Sequence, residues 1–304
     1  MNQLLKQLTS IPSPSGDEQV ISDFLKTFID KEKRNWKVQP IIYEGAEFQH
    51  CIILVFGKPR TAIYAHLDNI GFTARYNNQL VKIGGPRLVN GYKLVGEDAT
   101  GKIDGTLVVD DDNNLSLDFN RMVETGTNLS FKQNYREDDE YIQSCYLDNR
   151  LGVYAALKAA ETLENGVIVF SCWEEHGGGS VPYIAKFLWE RYQIRQCLIA
   201  DITWITEGVH PGKGVVVSLR DSGLPRKVYT DKIRKILTSK NIAFQIEVEG
   251  TGGSDGNELQ KQPYPIDWCF VGAAEDNVHT PDEKVHKKDI ESMIEAYKVL
   301  MLDL

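Results

Sequence analysis

The chain has 304 residues, 42% of them hydrophobic, which is enough for a substantial core in one large domain or two smaller ones. Its 43 acidic residues outnumber its 34 basic ones, so no basic surface is expected to attract a phosphate backbone or an anionic lipid, and nucleic acid is not an expected partner. No apolar run approaches the ~20 residues of a membrane span, the N-terminus lacks the pattern of a secretory signal, and Cys51, Cys145, Cys172, Cys197 and Cys269 stand singly without a CxxC pair. We expect a cytoplasmic protein, off the membrane, with reduced thiols in its core.

In chain order, SGDEQVISDFLKTFIDKEK opens with Ser15 as a candidate cap and carries Val20, Ile21, Phe24, Leu25 and Phe28 at helical spacing, which predicts an amphipathic helix. WKVQPIIY, CIILVFG and TAIYAHLD follow as short runs rich in β-branched residues, predicted to be strands buried on at least one face. From about Asn69 to Glu140 the texture changes. ARYNNQLVKI and GTLVVDDDNNLSLDF each read as a hairpin, and the segment is predicted to be all β. Helical and strand patterns then alternate from LGVYAALKAAETLE through GVIVFSCW and QCLIADIT to the terminal KKDIESMIEAYKVLMLDL. The expected architecture is α/β, with residues 1–68 and 141–304 forming one discontinuous domain around an inserted β-rich domain at 69–140.

Polar residues interrupt the apolar runs at their ends. His66 and Asp68 close a predicted strand, where positions i and i+2 share a face, so the Asp68 carboxylate can hold one ring nitrogen of His66 while the other points outward. The alternative is a surface histidine before an acidic turn. Asp148 stands where an Ala-rich helix begins, as an N-cap or as a bridging carboxylate. Asp201 ends the run LIAD, Glu174 and Glu175 end FSCWEE, and His279 lies in a loop near the C-terminus. His176 is left open, whereas His50, His210 and His286 have no setting that suggests chemistry. Ligands in open α/β sheets gather beyond the carboxyl ends of strands, so the common location of these groups is the informative part.

AHLDNIGF, LDNRLG, CWEEHGGG, IADIT and VHTPDEKVHKKDIE resemble, in order, the blocks of the dinuclear zinc aminopeptidases, in particular the glutamyl aminopeptidase/cellulase M family that includes the tetrahedral TET peptidases. The resemblance implies a zinc-exopeptidase-like mixed sheet flanked by helices, with a barrel-like inserted domain that serves assembly or substrate access, and a homo-oligomer acting on peptides. It implies two divalent metal ions, zinc first, with cobalt or manganese compatible with the same ligands. Carried over, it makes His66, Asp148 and Asp201 ligands of one ion and Asp148, Glu175 and His279 ligands of the other, with Glu174 as general base and Asp68 orienting His66. Two such ions would balance carboxylates that otherwise repel one another in a single pocket. His176 stands where the family usually has an aliphatic residue.

Other readings compete with this one. GGSDG satisfies the G-x-S-x-G pattern, with Ser254 as nucleophile and His279 as base, but only NELQKQ follows before Pro263 instead of a sustained helix. The same loop reads either as a plain glycine turn or as a pocket wall contributing Ser254 or Asp255. A glycosidase built on Glu174 and Glu175 is geometrically poor, because its two carboxyls must flank the sugar bond ~5 Å or more apart. An N-acyl amino acid deacylase would use nearly the same ligands, and a metal-free binding or scaffold protein would keep only the fold.

Overall fold

The computed structural model describes residues 2–304. The chain begins with α1 (Asn2–Thr9), α2 (Gln19–Glu32), β1 (Ile41–Tyr43), β2 (Ile52–Phe56) and β3 (Thr61–His66). It continues through β4 (Gly71–Ala74), β5 (Leu80–Ile83), β6 (Lys93–Asp98), β7 (Gly101–Val109), β8 (Leu115–Asp118) and β9 (Asn128–Phe131). Then come β10 (Arg136–Glu137), β11 (Tyr141–Ser144), α3 (Leu147–Ala160), β12 (Gly166–Ser171), α4 (Val181–Tyr192), β13 (Gln196–Ile199) and β14 (Ile202–Trp204). The remainder is β15 (Val215–Arg220), α5 (Lys227–Ser239), β16 (Phe244–Val248), α6 (Asp255–Gln260), β17 (Asp267–Asp276), β18 (Glu283–His286) and α7 (Lys287–Asp303).

A mixed sheet flanked by helices organises most of the chain. At its centre β12, β3, β13 and β17 lie side by side and parallel, so their carboxyl ends share one edge of the molecule. Antiparallel neighbours extend it on both sides, β2 and β1 beyond β12, and β18, β11 and β10 beyond β17. Every residue of β2, β3 and β12 is buried, as befits strands covered on both faces. The Ala-rich helix α3 is buried along nearly its whole length. Gly152 allows it to lie against the end of β13, since a Cβ there would meet the Ala200 carbonyl oxygen at 2.3 Å. Arg150, on the same helix, is wholly buried and donates to the carbonyls of Leu8, Ile11 and Leu67, tying α1 and its following loop to the end of β3.

The strands β4 to β9 form a separate antiparallel sheet in the order β5-β4-β9-β6-β7-β8. A bridge from Gln79 to Ser116 brings its two edges together, so the sheet is a nearly closed barrel around Phe72, Leu94, Leu107, Leu117, Leu129 and Phe131. Both expected hairpins are present, β4–β5 and β7–β8. The segments β10 and β11 pair into the larger sheet.

Two local expectations are corrected. Ser15 does not cap α2, which starts four residues later and has no side-chain cap; its hydroxyl donates instead to Asp68 Oδ2 at 2.6 Å. Val20, in the first turn of α2, is 61% exposed, whereas the buried stripe runs through Ile21, Leu25 and Ile29 with Phe24 and Phe28 packed beside it. All five cysteines are free and buried. Among the described residues no helix is long and apolar enough to cross a membrane.

Candidate active site

The parallel strand ends bring His66, Glu174, Glu175 and Asp201 together, and two further segments complete the group. His66 is the last residue of β3, the glutamates follow β12, and Asp201 follows β13. Asp148 comes from the first turn of α3, beyond the antiparallel β11, and His279 from the loop between β17 and β18. All six are thus neighbours, as the sequence led us to expect.

Asp148 is the centre. Its Oδ1 lies 3.2 Å from Nε2 of His66 and its Oδ2 lies 3.2 Å from Nε2 of His279, so one carboxylate faces two imidazoles from opposite sides. Asp201 Oδ1 stands 3.6 Å from His66 Nε2, and Glu175 Oε2 stands 3.3 Å from His279 Nε2. The donor atoms of His66, Asp148 and Asp201 all lie within 4.8 Å of one another, and so do those of Asp148, Glu175 and His279. Glu174 belongs to neither trio; its Oε2 is 3.8 Å from His66 Nε2. Asp148 does not cap its helix: the cap position is Tyr146, no side chain bonds there, and Asp148 itself has extended rather than helical backbone angles.

Asp68 meets His66 through two oxygens and does more besides. His66 Nδ1 is bonded to the main-chain carbonyl of Asp68 at 3.0 Å, with the carboxylate 3.5 Å away. The carboxylate also accepts the N–H of Glu174 on Oδ1 and the N–H of Glu175 on Oδ2, both at 3.0 Å, along with the Ser15 hydroxyl. The chain leaves β12 at this point, so these N–H groups have no strand partner and need an acceptor.

His279 has a positive φ of 64°, and the barrel strand segment after β5 holds it in place. Its Nδ1 pairs with the carbonyl of Gly85 at 3.1 Å, which leaves Nε2 facing Asp148 and Glu175, while its own carbonyl accepts the Arg87 N–H. His176 also joins the barrel, accepting the Gly84 N–H on Nδ1. His286 caps α7 by accepting the Lys288 N–H. Ser254 caps α6 in a reciprocal capping box with Asn257, so its hydroxyl serves the helix and not a nucleophile's geometry, and α6 is only six residues long.

The charge balance among these side chains is unusual. Burial disfavours the charged ring of His66, yet Asp201, Asp148 and Asp68 outweigh it and raise its pKa well above the ordinary range. His279, also opposed by burial, is pushed up to about 12 by Asp148 and Glu175. Burial raises Glu174 well above an ordinary carboxyl, with Asp201 and Glu175 adding to it, and brings Glu175 to about 7. Asp148 is held low because the two imidazoles outweigh its burial. Protons on the two rings stand where cations would serve better: among the described residues Asp148 Oδ1 and Glu175 Oε1 are buried with no well-formed hydrogen bond, Asp148 Oδ1 having only the His66 ring nitrogen 3.2 Å away. These orphaned oxygens and a nitrogen–oxygen donor set fit divalent metal ions.

A cavity of about 250 Å³ opens over Glu174, Glu175, Asp148, Asp201 and His279. Trp204, Phe270, Asp221, Glu247 and Glu249 line it further out, with the glycine loop at Thr251, Gly252 and Gly253. Ser254 and Asp255 lie outside this lining. Asp255 is buried, accepts the Ser171 hydroxyl, and leaves Oδ1 unpartnered. Glu283 and Glu275 are among the buried acids that escaped the sequence reading. Glu283 accepts the N–H groups of both Asp148 and His279, and Glu275 has no hydrogen-bond partner on either oxygen among the described residues. An acid four residues after His279 in VHTPDE was the only sequence signal for Glu283.

Two histidines and four carboxylates gathered at the strand ends of a mixed α/β sheet make the donor set of a metal-dependent hydrolase. Residues 102–295 match the family model of the M42 glutamyl aminopeptidases, and the chain belongs to that family. Its broad class is therefore that of the metal-dependent aminopeptidases. Solved structures share the fold over the full length. The Pyrococcus horikoshii TET1 peptidase, which assembles into a tetrahedron or a large octahedral shell, is 22% identical with 99% of each chain covered and a TM-score of 0.81. The dodecamer PhTET1-12s is 22% identical with 100% of each chain covered and a TM-score of 0.84. An aminopeptidase from the archaeon Desulfurococcus kamchatkensis is 18% identical, with 99% of this chain and 94% of that chain covered and a TM-score of 0.88. Comparison with curated proteins finds no match.

Proposed function

We propose that this chain removes N-terminal residues from peptides with two divalent ions, one on His66, Asp148 and Asp201 and the other on Asp148, Glu175 and His279. The observation that carries the reading is the shared Asp148 carboxylate, with one oxygen 3.2 Å from each of two imidazole Nε2 atoms. Zinc is the first choice of metal, and cobalt and manganese suit the same nitrogen and oxygen donors. Bound there, such ions supply Lewis acidity to the scissile carbonyl and make a water acidic enough to attack at neutral pH.

The remaining work falls to side chains of this chain. Glu174 is the general base: it lines the cavity, belongs to neither ligand trio, and its backbone is held by Asp68. It takes the proton of the attacking water and returns it to the leaving amine. Burial raises its affinity for a proton, which strengthens the ionised carboxylate as a base. Asp68 fixes the glutamate pair through their N–H groups, and its carbonyl sets the tautomer of His66.

Glu174→Gln should lower kcat on aminoacyl-anilides by roughly 10²–10⁴ while leaving metal content unchanged. Near-normal turnover with full metal, or hydrolysis of N-acetyl amino acids in preference to anilides, would defeat the assignment. We also propose a cytoplasmic homo-oligomer assembled through the barrel. The assemblies formed by the P. horikoshii TET1 peptidase support this, as do exposed Tyr76, Val81, Val89 and Met122 on the barrel segment and the five free thiols.

A further inference from the structure

We infer that Glu283 is a positioning residue which holds the Asp148/Glu175/His279 half of the site, and thereby sets the affinity of that ion more than that of the other, which shares only Asp148 with it. The inference rests on the two-ion reading above. Glu283 opens β18, where it stands opposite Ser144 of β11, so it lies between the segment that leads to Asp148 and the loop that carries His279. Its side chain is 1% exposed. Oε2 accepts the N–H of Asp148 at 3.2 Å, and Oε1 accepts the N–H of His279 at 3.1 Å.

Both recipients have backbone that regular structure does not satisfy. Asp148 is extended within the first turn of α3, and His279 has a left-handed φ of 64°. A buried N–H in such a place needs an acceptor, and a left-handed non-glycine residue persists only where its surroundings hold it. A single carboxylate meets both needs, because its two oxygens accept in two directions. Glutamine cannot replace it fully: its amide nitrogen would face one of the two N–H groups, donor against donor. Aspartate is one methylene shorter and cannot reach both.

The other half of the site has its own supports. His66 Nδ1 is bonded to the Asp68 carbonyl, and Asp201 Oδ1 accepts the Ile202 N–H; neither involves Glu283. Loss of Glu283 should therefore act unequally. Partners behind metal ligands are worth ~10–100-fold in metal affinity, and that loss should fall chiefly on the ion held by His279, since the other ion shares only Asp148 with it.

The test is calorimetric titration of the full-length, metal-stripped protein with zinc, and separately with cobalt followed by absorbance. Wild type, Glu283→Gln and Glu283→Asp are compared, with circular dichroism to check folding. Wild type should take up two ions. Each variant should bind one ion ~10–100-fold more weakly and the other with a distinctly smaller loss, with activity recovering as free metal is raised. Two ions bound as tightly as in wild type, or both weakened alike, would overturn the inference and leave the two-ion reading standing. So would unfolding of both variants, which would make Glu283 a stability residue. A wild type that binds fewer than two ions would instead defeat the underlying reading.

Discussion

Asp68 governs the placement of both glutamates, because its carboxylate receives their two successive N–H groups as the chain leaves β12. Replacement by asparagine would set an amide nitrogen against one of those N–H groups and release one end of the pair. Asp68→Asn should therefore lower kcat by about 10–100-fold, the usual cost of losing a partner behind a site residue, with KM for the anilide changed much less. Steady-state kinetics would check this, and an unchanged kcat would show that the glutamates need no such anchor. Residue identities at the site were legible in the sequence, since His66, Glu174, Glu175 and Asp201 each interrupt an apolar run at its end. The partner of the Asp68 carboxylate was not legible. An i, i+2 spacing places His66 and Asp68 on one face but says nothing of a loop more than a hundred residues away.

At the scale of elements, the barrel contains a corner built on charge. Asp98, at the end of β6, receives both terminal nitrogens of Arg121, at 2.7 and 2.8 Å, and also the N–H groups of Thr100, Gly101 and Glu124. Arg121 foremost, with those N–H groups, depresses the Asp98 pKa below its ordinary 3.8. A carboxyl whose folded pKa lies below its unfolded value stabilises the fold fully above the unfolded pKa, and the contribution fades as pH falls toward the folded one. The thermal midpoint should thus decline as pH drops below ~4, and Arg121→Met should flatten that decline. Equal slopes in wild type and variant would show that the corner contributes nothing. The β6–β7 and β7–β8 connections were legible because turn residues are local signals, whereas the closure of the barrel from Gln79 to Ser116 joins distant edges and left no mark in the sequence.

For the whole molecule, the barrel matters in two ways. It meets the site, through Gly85 on His279 and Gly84 on His176. Its segment also exposes Tyr76, Val81, Val89 and Met122, apolar side chains available to a contact between copies of the chain. Light scattering should accordingly give a mass several times that of one chain, and the double variant Val81→Asp, Met122→Asp should reduce it. A monomeric wild type would rule out assembly. Because Gly85 and Arg87 also hold His279, a variant that loosens the barrel should lose activity along with mass.

By itself the sequence determined the α/β class of fold and marked the polar residues that end its apolar runs, because strand termini, helix starts and hairpins are announced by near neighbours in the chain; the order of the blocks and the set of site residues came from their resemblance to a known family. Only the tertiary structure decided which atom serves which: that Asp148 divides its oxygens between two imidazoles, that Asp68 turns to the glutamate backbone, and that Glu283 lies behind both Asp148 and His279. Hydrogen-bond partners are settled by distance and direction across space, and here the partners come from strands and loops that the chain visits far apart.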